Sequence, residues 1–149
     1  MEDYVLIREN DFERARKKIN KSSGKTIIFS GDDETNRKIL EKERINILLL
    51  NQSGRRDRQK QRDSGFNHVL AKLAKKNSVI IGINLDEIIS SDKKNKADIL
   101  ARIRQNVRIC NKNKLKMRFF SPAEDSKDIY DLRALGLVLG MPTWMVQSL

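Results

Sequence analysis

A chain of 149 residues with a formal net charge of +11, 34% charged and 5% aromatic, is long enough for one domain with a real core. Its periodic apolar runs exclude a disordered chain, and no run approaches the roughly 20 apolar residues of a membrane span. The acidic start MEDYVLIREN is unlike a secretory signal, and the single cysteine, Cys110, excludes an internal disulfide, so a reducing cytoplasm is the expected setting.

In chain order, short apolar runs alternate with amphipathic stretches. YVLI (4–7) leads to a helix from Asp11, an N-cap type, to about Lys18. KTIIFS (25–30) leads to DETNRKILEKE, and INILLL (45–50) to a basic segment and a helix from Phe66. SVIIGINL (78–85) leads to a polar loop and a long helix from about Ala97 to Asn111. KMRFFS (116–121) leads to a helix over about Asp128–Leu139. The strand runs are continuously apolar, as in a parallel sheet covered on both faces. Five β–α pairs in a single α/β domain over residues 1–149 fit either part of a barrel or an open doubly wound parallel sheet. They are too few for a closed eight-stranded barrel, which takes at least about 200 residues. In both architectures functional residues gather at the carboxyl ends of the strands.

The charge is concentrated. Residues 1–50 carry 11 Lys and Arg against 10 Asp and Glu, residues 51–118 carry 18 against 6, and residues 119–149 carry 2 against 4. An excess confined to one region is what a polyanion-binding face needs, since neutralising phosphates releases their counterions. The densest run is RRDRQKQR, with Arg55, Arg56, Arg58, Lys60 and Arg62, and it opens directly into a helix. In that helix Phe66, Val69, Leu70, Leu73 and Ala74 form one apolar stripe, while Asn67, His68, Lys72, Lys75 and Lys76 point away. Asp63, Ser64 or Gly65 would cap it. Its first-turn N–H groups beside the arginines would make a phosphate cradle.

Other residues carry less chemistry. His68, the only histidine, lacks a catalytic partner or fellow metal ligands and reads as a hydrogen-bonding or RNA-contacting side chain. Asp32, Asp33 and Glu34 fit a helix first turn better than a Mg²⁺ site. Cys110 shares a buried helix face with Ile99, Ile103 and Val107, whereas Arg102, Arg104 and Arg108 lie on other faces and would extend the basic surface. Gly136 and Gly140 fit close packing and a helix C-cap. Nucleotide fingerprints, a Walker motif, a nucleophile elbow and base-stacking aromatics are all missing.

SGFNHVLAKLAKKNSVIIGINLDEII (64–89) and MRFFSPAEDSKDIYDLRALGLVLGM (117–141) together resemble archaeal ribonuclease P protein component 3, over roughly the last 90 residues and in the family's order. The resemblance implies a TIM-barrel-like fold, here short and incomplete or partly open, because the chain lacks an early β–α portion. It also implies a subunit of the ribonucleoprotein that removes the 5′ leader from precursor tRNA. In that enzyme the RNA performs Mg²⁺-dependent hydrolysis, the protein binds no cofactor of its own, and its partners are the RNA and a second small protein subunit. Precursor tRNA would be met only indirectly, and a membrane not at all. The family's RNA-binding residues would fall on Arg55, Arg56, Arg58, Lys60 and Arg62, with Asn67, His68 and Lys72 on the helix, and no residue would be catalytic.

Two other classes remain to be weighed. A stand-alone metal-dependent phosphoesterase on a barrel-like fold would use Asp32, Asp33, Asp86 and His68. A flavodoxin-like domain would need an acidic or glycine-rich pocket after the first strand, where LIREN offers neither.

Overall fold

The computed structural model describes residues 3–122 and 127–149. Its elements are β1 (Tyr4–Arg8), α1 (Phe12–Lys21), β2 (Thr26–Ser30), α2 (Asp33–Lys42), β3 (Ile47–Leu50) and α3 (His68–Lys76), followed by β4 (Ile80–Asn84), α4 (Leu85–Ser90), α5 (Lys93–Lys112), β5 (Met117–Phe120), α6 (Ile129–Val138) and α7 (Thr143–Gln147). Part of the resemblance segment, residues 123–126, lies outside the described residues.

The five strands pair in parallel and in sequence order, β1-β2-β3-β4-β5. A doubly wound sheet reverses its strand order part-way and places helices on both faces. Here alternate strand residues divide cleanly instead. Ile7, Ile27, Phe29, Leu48, Leu50, Ile81, Ile83 and Met117 share one core with helix residues such as Ala15, Ile39, Leu70, Ile99 and Met145. The opposite face contributes Ile28, Ile47 and Leu49, packed by Leu6, Ile80 and Phe120, and this second cluster contains strand residues alone. The helices therefore cover one face and the sheet curls over the other, as in a barrel wall. That excludes the doubly wound alternative.

The curl brings the first and last strands within reach of each other. Tyr4 meets Phe120 edge-to-face, with ring centroids 5.2 Å apart and planes at 86°. Even so, β1 and β5 share no ladder, so the barrel stays open. Gly82 is needed inside the curl, where a Cβ would lie 3.0 Å from Ile47 Cγ2, 3.1 Å from Leu49 Cδ1 and 3.3 Å from the Leu49 Cα.

Local chemistry sets the helix bounds. Asp11, Asp32, Asn67, Asn84, Asp92 and Asp128 each accept a first-turn N–H through the side chain. The Asp92 cap starts α5 a turn earlier than the apolar pattern alone indicates. Asn84 starts α4 directly at the end of β4, within a stretch expected to be loop. α6 ends as expected: Gly140, at φ +90°, donates to the Leu137 carbonyl, and Met141 donates to that of Gly136. Cys110 is fully buried, and burial pushes its thiol up to about 12, so it acts as a packing residue. Among the described residues no helix is long and apolar enough to cross a membrane.

Replacing Gly82 by Ala should cost about 1–3 kcal/mol through overpacking of the concave face. A lower urea midpoint with an unchanged slope would report it.

Candidate nucleic-acid interface

The carboxyl ends of the central strands are joined by polar contacts. Asn84 Nδ2 donates to Asn51 Oδ1 (2.9 Å), and Asn51 Nδ2 donates to Ser30 Oγ (2.7 Å). The basic segment leaves the sheet from this rim after β3. It must hold a defined course without secondary structure of its own, and one face of α5 supplies the means.

Arg102 is 5% exposed. Its Nε donates to Asp57 Oδ1 (3.0 Å), Nη1 to the Gln52 carbonyl (2.8 Å) and Nη2 to the Arg55 carbonyl (2.8 Å). Gln105 donates to the Arg62 carbonyl and Ser64 Oγ, and Asn106 donates to the Ser64 carbonyl. Residues 102, 105 and 106 are neighbours on a helix surface, so α5 grips the segment near both ends. Gln52 Nε2 also donates to the Ser64 carbonyl (2.9 Å), closing the loop on itself, while Glu87 accepts from the Gln52 and Ser53 amides.

Arg55 braces the other side. Its Nη1 and Nη2 meet the two oxygens of Asp33 at 2.9 Å each, Nη1 also reaches Asp63 (3.2 Å), and Nε donates to the Asn51 carbonyl (2.6 Å). Burial alone would lower its pKa, but Asp33 and then Asp63 outweigh that and raise it above the usual arginine value. Asp57 is held below its ordinary 3.8, foremost by the Arg102 bond; burial opposes this, and the Asp63 amide and Arg62 reinforce it.

The expected site residues therefore separate into two groups. Arg55 is committed to the loop's own carboxylates. Arg62 is half engaged, with Asp57 at 3.0 Å and Asp98 at 3.7 Å. Arg56, Arg58 and Lys60 are exposed and, among the described residues, form no ion pair. Lys60 sits at the tip of a tight turn closed by mutual backbone hydrogen bonds between Arg58 and Gln61. Asn67 is the N-cap of α3 and accepts from the Leu70 amide (2.9 Å). His68 Nδ1 lies 3.1 Å from Asn113 Nδ2, which as donor leaves the ring proton of a neutral imidazole on Nε2. Lys72 is exposed.

Three expectations need correction. The helix begins at His68, not Phe66, and its cap is Asn67 rather than Asp63, Ser64 or Gly65. Ser64 is buried as an acceptor for Gln52 and Asn106, Gly65 turns the chain at φ +72°, and Phe66 is a buried plug outside the helix. With that phase Ala71 takes the core and Val69 is left 57% exposed. Arg102 does not extend the basic surface as Arg104 and Arg108 do; it is the loop's anchor. The available signal was its spacing: Arg102 and Asn106 sit three and seven positions after buried Ile99.

Among the described residues no three His, Cys, Asp or Glu side chains are grouped so as to hold a metal ion. Asp32 caps α2, Asp33 is bound by Arg55, and His68 faces Asn113, so the residues invoked for a phosphoesterase serve separate local roles.

Replacing Arg102 by Met should speed limited tryptic cleavage between Arg55 and Arg62 by about tenfold, as local opening becomes cheaper, with Arg102→Lys falling between. Equal rates would show that the loop holds without it. Because the folded pKa of Asp57 is depressed, its contribution is complete above the unfolded value and fades as pH falls through the folded one. Protection factors of the loop amides should stay level between about pH 5 and 8 and drop only in strong acid.

No family model matches the chain. In sequence it is similar to Ribonuclease P protein component 3 of Methanococcus maripaludis strain C7, 28% identical over 132 residues covering 89% of this chain and 53% of that protein. It is 29% identical over 140 residues to that of Methanothermobacter thermautotrophicus (92% and 54%), and 30% identical over 136 residues to that of Methanocaldococcus jannaschii (87% and 56%). The chain thus spans about half the length of the curated relatives it matches. Its fold is similar to a chain in a cryo-EM structure of archaeal ribonuclease P with mature tRNA, with a TM-score of 0.79, 27% identity, and coverage of 97% of this chain and 62% of that one. In sequence and in fold, the chain is similar to archaeal Ribonuclease P protein component 3 over about half of that protein's length.

Proposed function

We propose that this chain acts as a protein subunit of a ribonuclease P ribonucleoprotein, binding and stabilising the RNA that cleaves the 5′ leader from precursor tRNA. The observation that carries this reading is the presentation of Arg56, Arg58 and Lys60, without an ion pair among the described residues, on a loop fixed to the barrel wall by Arg102 and Arg55. A loop already held in place loses little backbone freedom when its side chains meet a phosphate backbone, and each cation displaces condensed counterions. Arg62 adds a half-shared charge. His68 and Lys72 on α3 offer further donors, and Asn67 keeps its amide N–H₂ after using its oxygen as a cap.

In this reading Mg²⁺ belongs to the RNA, which performs the hydrolysis, and the protein brings no catalytic group. The partners are the ribonuclease P RNA and a second small protein subunit, with precursor tRNA met through the RNA, in a cytoplasmic particle. The names of the relatives support this assignment.

Replacing Arg56, Arg58 and Lys60 by Ala should weaken RNA binding and reduce the magnitude of the slope of log K against log salt by about 1.4–2.7, for two or three phosphate contacts at roughly 0.7–0.9 each. The fold should persist, because none of the three anchors the loop. An unchanged slope would remove the assignment of these residues. For the function itself, precursor-tRNA cleavage is reconstituted from a cognate RNA and its other proteins, with and without this chain. Equal rates and equal Mg²⁺ requirement would sink the proposal, as would cleavage by the protein alone.

A further inference from the structure

In front of α3 the basic loop, α2 and the first turn of α3 enclose an open cavity of about 640 Å³. This is where the sequence places a phosphate cradle, yet its walls are not those of an anion site. Three guanidiniums, Arg37, Arg58 and Arg62, share the lining with three carboxylates, Asp33, Glu34 and Asp63. Asp33 and Asp63 are already bridged by Arg55, Arg37 is paired with Glu41 and Arg62 with Asp57, and Glu34 shares one oxygen with Lys38 (3.3 Å), which leaves Arg58 as the lining guanidinium without an ion pair among the described residues and the second Glu34 oxygen facing solvent. A bare phosphate entering here would meet as many negative charges as positive ones.

The same cavity exposes apolar surface. Val69, 57% exposed, opens onto it beside Leu70 and Phe66. Apolar surface next to an unpaired guanidinium and hydrogen-bonding carboxylates suits a flat, neutral group with polar edges. A nucleobase is such a group, and the volume lies in the range of pockets that take one drug-sized molecule. Among the bases, guanine alone offers a carboxylate two adjacent N–H donors on its Watson–Crick edge while presenting O6 and N7 to an arginine fork.

We infer that the cavity receives one unstacked guanine of the bound RNA, laid against Val69, with Arg58 and the Glu34 carboxylate reading its edges. This rests on the RNA-binding reading and adds a base-specific site to its phosphate contacts. The strand on either side of the extruded nucleotide would then run past Arg56 and Lys60.

The test titrates the full chain against fluorescent eight-nucleotide single strands, all-uridine or carrying one central G, A or C, and against a duplex of equal charge. The variants are Val69→Asn and Glu34→Gln, both at exposed positions. Wild type should bind the G-containing strand about tenfold more tightly than the others. Each variant should lose most of that preference while keeping duplex affinity and salt slope. Equal affinity for all single strands, or a preference that survives both variants, overturns the base site and leaves phosphate binding standing. Failure to bind any RNA overturns both readings together.

Discussion

A buried arginine organises the basic loop of this protein. Taking the Arg102 guanidinium out of water is unfavourable unless its donors are satisfied. They are met by two backbone carbonyls and one carboxylate from a loop 45–50 residues away in sequence. The dependence runs both ways: the loop needs the guanidinium to neutralise converging carbonyls and Asp57, and the guanidinium needs the loop to escape desolvation. The result is an irregular segment, rich in like charges that would otherwise repel one another, fixed in a single conformation. The cations left over, Arg56, Arg58 and Lys60, stay exposed on its surface.

The open barrel makes this arrangement possible. Because successive strands lie side by side, the loop after β3 emerges next to the loop after β2, and Asp33 at the start of α2 is within reach of Arg55. Because the helices share one face, α5 lies where it can hold the segment leading to α3. In a doubly wound sheet neighbouring elements at this position would fall on opposite faces.

Much of this was legible in the residues. The five strands announced themselves as continuous apolar runs, and Asp11, Asp32 and Asp128 marked the starts of α1, α2 and α6, whereas the asparagine and aspartate caps of α3, α4 and α5 went unread. Strand order was not legible, because apolar runs on both faces fit either winding; only the division of core residues between two clusters decides it. The phase of α3 was misread because Phe66 is apolar and buried without being helical, and periodicity cannot distinguish a plug from a first turn. Arg102 was the deepest omission. A charged residue on a long helix reads as solvated, and although its spacing from Ile99 put it on the buried face, its partners come from a tertiary contact that spacing does not reveal. Within the basic run the sequence located the charge but could not separate Arg55, which holds the loop, from Arg58, which forms no ion pair among the described residues.

The edge-to-face contact between Tyr4 and Phe120 has a bearing on how the chain folds. It joins residues at the two extremes of the sheet, so it forms only after every intervening strand is in place, and closing so long a segment carries its entropic cost late. The aromatic pair thus ties the two edges of the open sheet to each other, a contact whose loop-closure cost is larger than that of any local β–α unit.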